Sequence, residues 1–124
     1  MSLRRKEILV VDDSETNLLL LQAVLEDEGY QVVVMDDTNK AVEYIHKNKP
    51  DLILLDLLMP DMDGFDFMQQ LGNGSGHFAS PVIVVTAYAN SENNRKAREL
   101  GALDVINKPI NISTFITKIN KIVN

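Results

Sequence analysis

Leu52-Ile53-Leu54-Leu55-Asp56-Leu57-Leu58-Met59-Pro60-Asp61-Met62-Asp63-Gly64 is the stretch from which the rest of the chain is read. An apolar run of strand length drives into a lone carboxylate, and turn chemistry follows within a few residues. Burying a charge among leucines is unfavourable unless a partner or a metal holds it. Asp56 is therefore expected at the exposed end of a strand, facing something cationic.

Working outward, the same pattern recurs on both sides. Ile8, Leu9, Val10 and Val11 form a continuous apolar run of the kind expected when both faces of a sheet are covered, and it ends at Asp12-Asp13. Ser14 is placed to cap a helix with Leu18, Leu21, Val24 and Leu25 at helical spacing, Leu19 and Leu20 widening the stripe, and Gly29 stopping it. Gln31–Met35 reads as a second strand; Thr38 opens a helix with Ala41, Val42 and Ile45 inward that ends before Lys49-Pro50. Leu52–Leu55 is the third strand. Phe65, Phe67, Met68 and Leu71 indicate a third helix, and Gly72-Asn73-Gly74-Ser75-Gly76 a loop too short to separate domains. Residues 82–85 form a fourth strand ending at Thr86. Residues 91–100 have helical composition with only Ala97 and Leu100 as anchors, so a lightly buried, mobile helix is expected there. A short fifth strand at 103–106 leads into Asn107, Lys108 and Pro109, and Ile112, Phe115, Ile116, Ile119 and Val123 space a final helix. Strand–helix alternation of this kind predicts an α/β fold, a doubly wound parallel sheet with right-handed crossovers and helices on both faces.

Composition narrows the function classes. At 124 residues the chain fits one domain. Without cysteine it has neither a disulfide framework nor a thiolate metal site, which suits a reducing, cytoplasmic compartment. No apolar run approaches the roughly 18 residues that span a bilayer, and the N-terminus lacks a signal-peptide pattern, so neither a membrane nor a secretory role is expected. A formal net charge of -6 argues against direct nucleic-acid binding and suits a cation or a basic partner.

Open α/β sheets bind ligands outside the carboxyl ends of their strands. Four of the five apolar runs end there in competent groups: Asp12 and Asp13, Asp56, Thr86, and Lys108. In the flavodoxin-like order 2-1-3-4-5 they share one crevice, while Asp36 and Asp37 fall at the sheet edge and outside it. Three crowded carboxylates raise one another's pKa and call for a cation. Oxygen ligands without His or Cys favour a hard ion, magnesium over calcium. A carboxylate nucleophile forms an aspartyl phosphate, with Lys108 and the Thr86 hydroxyl holding phosphoryl oxygens. The set reads as phosphoryl transfer onto Asp56.

Asp12-Asp13, the run through Asp56 to Met59-Pro60 and Asp63-Gly64, Thr86-Ala87 and Lys108-Pro109 together resemble the receiver domain of two-component response regulators, a CheY-like family, over essentially the whole chain. The resemblance implies a single (βα)5 receiver domain over residues 1–124, with residues 1–5 unstructured or cloning-derived. It implies that Asp56 accepts phosphate from a sensor histidine kinase or a histidine phosphotransfer protein. Asp13 and Asp56 would bind Mg2+ directly with the Leu58 backbone carbonyl, Asp12 through water, and a cis peptide would precede Pro109. It further implies a switch in which Thr86 moves toward the phosphoryl group and repacks a face of helix four, strand five and helix five. A downstream effector or output domain, or a phosphorylation-dependent homodimer, would read that face. Self-phosphorylation and autodephosphorylation are the only catalysis implied. The family pattern has an aromatic residue two positions before Asn107; Val105 stands there instead. Leu58 and Tyr88, at positions that tune hydrolysis in the family, offer no acid or amide to orient water, so slow phosphoryl loss is expected.

Plainer readings exist for each piece. Asp12-Asp13-Ser14 alone is a helix cap with acids suited to the helix dipole, and Lys108-Pro109 or Thr86 alone is an ordinary strand end. Asp61-Met62-Asp63-Gly64 begins like a calcium loop but lacks its closing Glu. His46 and His77 read as surface residues, and Arg95, Lys96 and Arg98 as a solvated face. The competing activity is a metal-dependent phosphatase with an Asp nucleophile, which ordinarily places a second acid two residues on, where Leu58 stands.

Overall fold

The computed structural model describes residues 5–57, 64–72 and 80–124. Five parallel strands, β1 (Glu7–Val11), β2 (Gln31–Met35), β3 (Leu52–Leu55), β4 (Val82–Thr86) and β5 (Asp104–Asn107), form one sheet in the order β2-β1-β3-β4-β5. They alternate with α1 (Glu15–Asp27), α2 (Thr38–Asn48), α3 (Gly64–Gly72), α4 (Ser91–Glu99) and α5 (Ile112–Val123). This is the flavodoxin-like architecture expected from the alternation. No helix among the described residues is long and apolar enough to cross a membrane.

Alternation along each strand splits the core in two. Leu9, Val11, Ile53, Leu55, Val82 and Val84 pack with α2, α3 and α4, while Ile8, Val10, Leu52, Leu54, Ile83 and Val85 pack with α1 and α5. β3 and β4 are buried on both faces throughout, and β1 from Ile8 onward. That explains why their sequences are unbroken apolar runs.

Helix boundaries follow local chemistry. Ser14 accepts from the Asn17 amide and caps α1; Gly29, with φ of 97°, lets the chain leave that helix in the left-handed region. For α2 the cap is Asp37, whose carboxylate accepts from the Asn39 and Lys40 amides at 2.8 and 3.2 Å. Asp37 thus has a structural task on an edge strand's exit, outside the crevice as expected.

Four apolar residues lie outside the core that periodicity suggested. Leu19 and Leu20 are 58 % and 44 % exposed, because α1 turns Leu18, Leu21 and Leu25 into the core, with Val24 packed beside them. Leu103 is 53 % exposed: its amide donates to the Val82 carbonyl, but the ladder of β5 begins one residue later and extends through Asn107. Ile112 also faces outward, at the first position of α5. α4 buries only Ala97, with Leu100 half-buried, matching the sparse anchoring its sequence indicated.

Candidate functional site

The site grows from adjacent strand ends. β1 and β3 are neighbours in register, Val11 beside Leu55, so Asp12 and Asp56 emerge together. Backbone bonds continue past the strands: the Asp56 amide donates to the Val11 carbonyl at 3.0 Å and the Asp12 amide to the Met35 carbonyl at 3.1 Å. Asp12 is 2 % and Asp56 8 % exposed, and Asp13 faces solvent. One carboxylate oxygen from each of the three lies within 4.8 Å of the other two.

Lys108 arrives from the end of β5. Its Nζ lies 2.9 Å from Asp12 Oδ2 and 3.5 Å from Asp56 Oδ2. Its amide donates to the Thr86 carbonyl at 2.8 Å, and the Lys108–Pro109 peptide is cis, as the motif implied. Asp12 is doubly held, since its Oδ1 also accepts from the Ser14 amide at 2.9 Å. The helix cap and the acidic site are thus one construction: Ser14 both caps α1 and fixes a site carboxylate.

The charge balance favours a divalent cation. Three carboxyl groups face one lysine in the crevice, an excess of acid over base. Partial desolvation pushes the Asp13 carboxyl above its ordinary value; a hydrogen bond with Asp12 and the like charge of Asp12 push the same way, opposed by Lys108. An all-oxygen donor set with this crowding fits a hard ion such as Mg2+, bound by few carboxylates with room for water.

Gly64 shapes the site from below. A Cβ there would lie 2.7 Å from the Asp56 carbonyl oxygen and 2.7 Å from Leu57 Cα, and its amide donates to the Leu57 carbonyl at 2.6 Å. Only glycine lets the start of α3 approach the backbone beneath Asp56 this closely. In the sequence Asp63-Gly64 signals a turn, and nothing in it marks this contact.

Thr86 is fully buried at the end of β4, and its hydroxyl accepts from the Tyr88 amide at 3.1 Å. Leu58, Met59-Pro60, Asp61 and Asp63 lie outside the described residues, as does His77. His46 is exposed, as are Arg95, Lys96 and Arg98, with Lys96 set 4.4 Å from the Phe65 ring centre. Val105 is half-buried against the core shared with α4. Beside Lys108 an apolar groove of about 340 Å3 opens between α1 and the segment entering α5, lined by Asn17, Leu20, Val85, Pro109, Ile110 and Ile112.

A parallel sheet in this order, carrying three acids and a lysine at its strand ends, matches a family of signalling modules. The family profile described as "Response regulator receiver domain" matches residues 8–120. Protein PilH of Pseudomonas aeruginosa is 35 % identical over 115 residues, covering 93 % of this chain and 95 % of PilH. Chemotaxis protein CheY4 of Vibrio cholerae superposes with a TM-score of 0.87 at 27 % identity, covering 96 % of this chain and 99 % of that one. The BeF3-activated N-terminal receiver domain of Klebsiella pneumoniae RstA gives a TM-score of 0.86 at 28 % identity, covering 96 % and 99 %. The chain belongs to the receiver domain family of two-component response regulators.

Proposed function

We propose that this chain is a phosphorylation-controlled, Mg2+-dependent signalling module whose phosphoacceptor is Asp56. The observation that carries the reading is the joining of Asp12, Asp13 and Asp56 within 4.8 Å, with Lys108 Nζ 2.9 and 3.5 Å from Asp12 and Asp56. In the proposed step an Asp56 carboxylate oxygen attacks the phosphorus of a phosphohistidine on a sensor kinase or phosphotransfer protein. An O–P bond forms, the N–P bond breaks, and its electron pair returns to the imidazole. Asp13 and Asp56, with the Leu58 backbone carbonyl, would be the residues that hold Mg2+, and Asp12 would assist through water. The ion, when bound, offsets charge on the phosphoryl oxygens.

Lys108 is paired mainly with Asp12 at rest and lies close enough to Asp56 to take a phosphoryl oxygen as a point charge. Thr86 supplies a hydroxyl to another oxygen. The groove beside Lys108 suits the approach of the phosphodonor protein, because an apolar docking surface continuous with the reacting groups orients the donor. Residues 1–124 would act as one cytoplasmic unit, read by an effector, an output domain or a second copy at the face of α4, β5 and α5.

The test is incubation with Mg2+ and a small acyl phosphate, followed by peptide mass spectrometry. One acid-stable, base-labile phosphoryl adduct on Asp56, absent in Asp56→Asn, is expected; no adduct, or one that survives this substitution, overturns the assignment. Asp13→Asn should weaken Mg2+ binding by about tenfold or more, since even partners outside the inner shell typically contribute that much. An unchanged affinity removes Asp13 from the ligand set.

A further inference from the structure

With Val105 where the family has an aromatic side chain, movement of Thr86 needs another route outward. The β4–α4 connection contains one. The Thr86 hydroxyl accepts from the Tyr88 amide at 3.1 Å, and the Tyr88 carbonyl accepts from Asn93 Nδ2 at 2.8 Å. Asn93 lies in the first turn of α4, its own amide capped by Asn90 Oδ1 at 2.8 Å. The Tyr88 backbone, from amide through Cα to carbonyl, and the Asn93 side chain therefore link the Thr86 hydroxyl to a helix. Thr86 also shares strand parity with Val82 and Val84, the face that α4 covers.

From these bonds we propose that Asn93 is a positioning residue that couples the Thr86 hydroxyl to α4 through the Tyr88 backbone. The inference rests on the reading of Asp56 as phosphoacceptor and deepens it by naming the relay. Thr is β-branched and turns between discrete χ1 wells. When its hydroxyl turns toward a phosphoryl oxygen, the Tyr88 amide either follows or loses its acceptor. Where the amide follows, the Tyr88 backbone carries its carbonyl against Asn93; where it does not, the segment entering α4 loses its tie to β4. An ordinary capping box ends at the cap residue; here the third helical residue reaches two positions before the cap, to a residue whose amide is already bonded to Thr86. α4 is poised to respond, because Ala97 is its only buried side chain and Asn94 Oδ1 is buried without a hydrogen-bond partner among the described residues. Moving the helix exposes that acceptor to water.

Asn93→Asp separates relay from cap. It removes the Nδ2 donor while keeping side-chain shape, and an acid in a first helical turn does not weaken a helix. Amide NMR shifts of residues 91–99 are compared with and without Mg2+ and beryllofluoride, a phosphoryl mimic. Wild type should show a large response, Asn93→Asp the loss of most of it, and Asn93→Gln, which restores a donor, its recovery. Phosphoryl adduct on Asp56 at saturating acyl phosphate should be unchanged in both. Thr86→Ala and Thr86→Ala/Asn93→Asp should respond alike, since both act on one chain of bonds. A full α4 response in Asn93→Asp, or additive losses in the double variant, overturns the relay. Failure of wild type itself to bind beryllofluoride or form the adduct instead overturns the phosphoacceptor reading.

Discussion

The centre of the sheet and the flank built from α4 and β5 are held by different physics. β1, β3 and β4 are packed on both faces, and side chains there have no room to shift without loss of contacts. α4 has Ala97 as its one buried side chain; ion pairs and hydrogen bonds supply much of the remainder. Arg98 pairs with Asp104 at 2.8 Å and donates to the Leu103 carbonyl at 3.2 Å, Lys118 pairs with Asp104 at 2.9 Å, and Lys96 covers the Phe65 ring. A fixed centre suits groups that must keep a reacting geometry. A polar-clasped flank suits an element that must occupy two positions, because its bonds re-form with water at small net change.

Substitutions at the centre should have the largest effect on stability. Leu54 is 1 % exposed in β3, between Val10 and Ile83 in the ladders. Leu54→Ala should lower unfolding free energy by about 2–5 kcal/mol in urea titration. A loss no larger than that of an exposed substitution would erase the distinction between the two regions. Gly64→Ala comes next: overpacking against the backbone of Asp56 and Leu57 should be destabilising by about 1–3 kcal/mol. It should also impair adduct formation at Asp56, and a variant of normal stability and normal adduct yield would show the contact to be easily relieved.

The smallest effect belongs to the flank. Asp104→Asn should change stability by only about 0–1 kcal/mol, since the Arg98 and Lys118 pairs are substantially exposed. Its pH dependence is more informative than its size. Burial opposes ionisation of Asp104, but hydrogen bonds from Lys118 and the Val105 amide, with the Lys118 charge and Arg98, outweigh it and hold the carboxyl below its ordinary 3.8. A folded value below the unfolded one means that the contribution is complete above 3.8 and is lost as pH falls through the lower folded value. The melting difference between wild type and Asp104→Asn should therefore be constant near neutrality and shrink in acid. A difference that grows in acid would contradict the ion-pair account.

Much of the central region was legible in the sequence because burial on both faces writes itself as unbroken apolar runs. Asp12, Asp13, Asp56 and Lys108 were legible for the converse reason, as charges placed where those runs stop. Their meeting in one crevice follows from strand order alone. Leu19, Leu20, Leu103 and Ile112 misled because periodicity says which side chains share a face, not whether a neighbour covers it. Gly64 and the Thr86–Tyr88–Asn93 chain were not legible, since both depend on backbone atoms whose positions leave no mark in residue type.

The central claim is that a fixed site is read through a loosely held flank. Amide hydrogen exchange of the wild-type chain, with and without Mg2+ and beryllofluoride, tests it most directly. Resting α4 should exchange much faster than β1, β3 and β4, and the ligand-induced change should concentrate in residues 87–107 while β1 and β3 stay as they were. Equal protection of α4 and the central strands at rest, or a change spread evenly over the chain on binding, would contradict it.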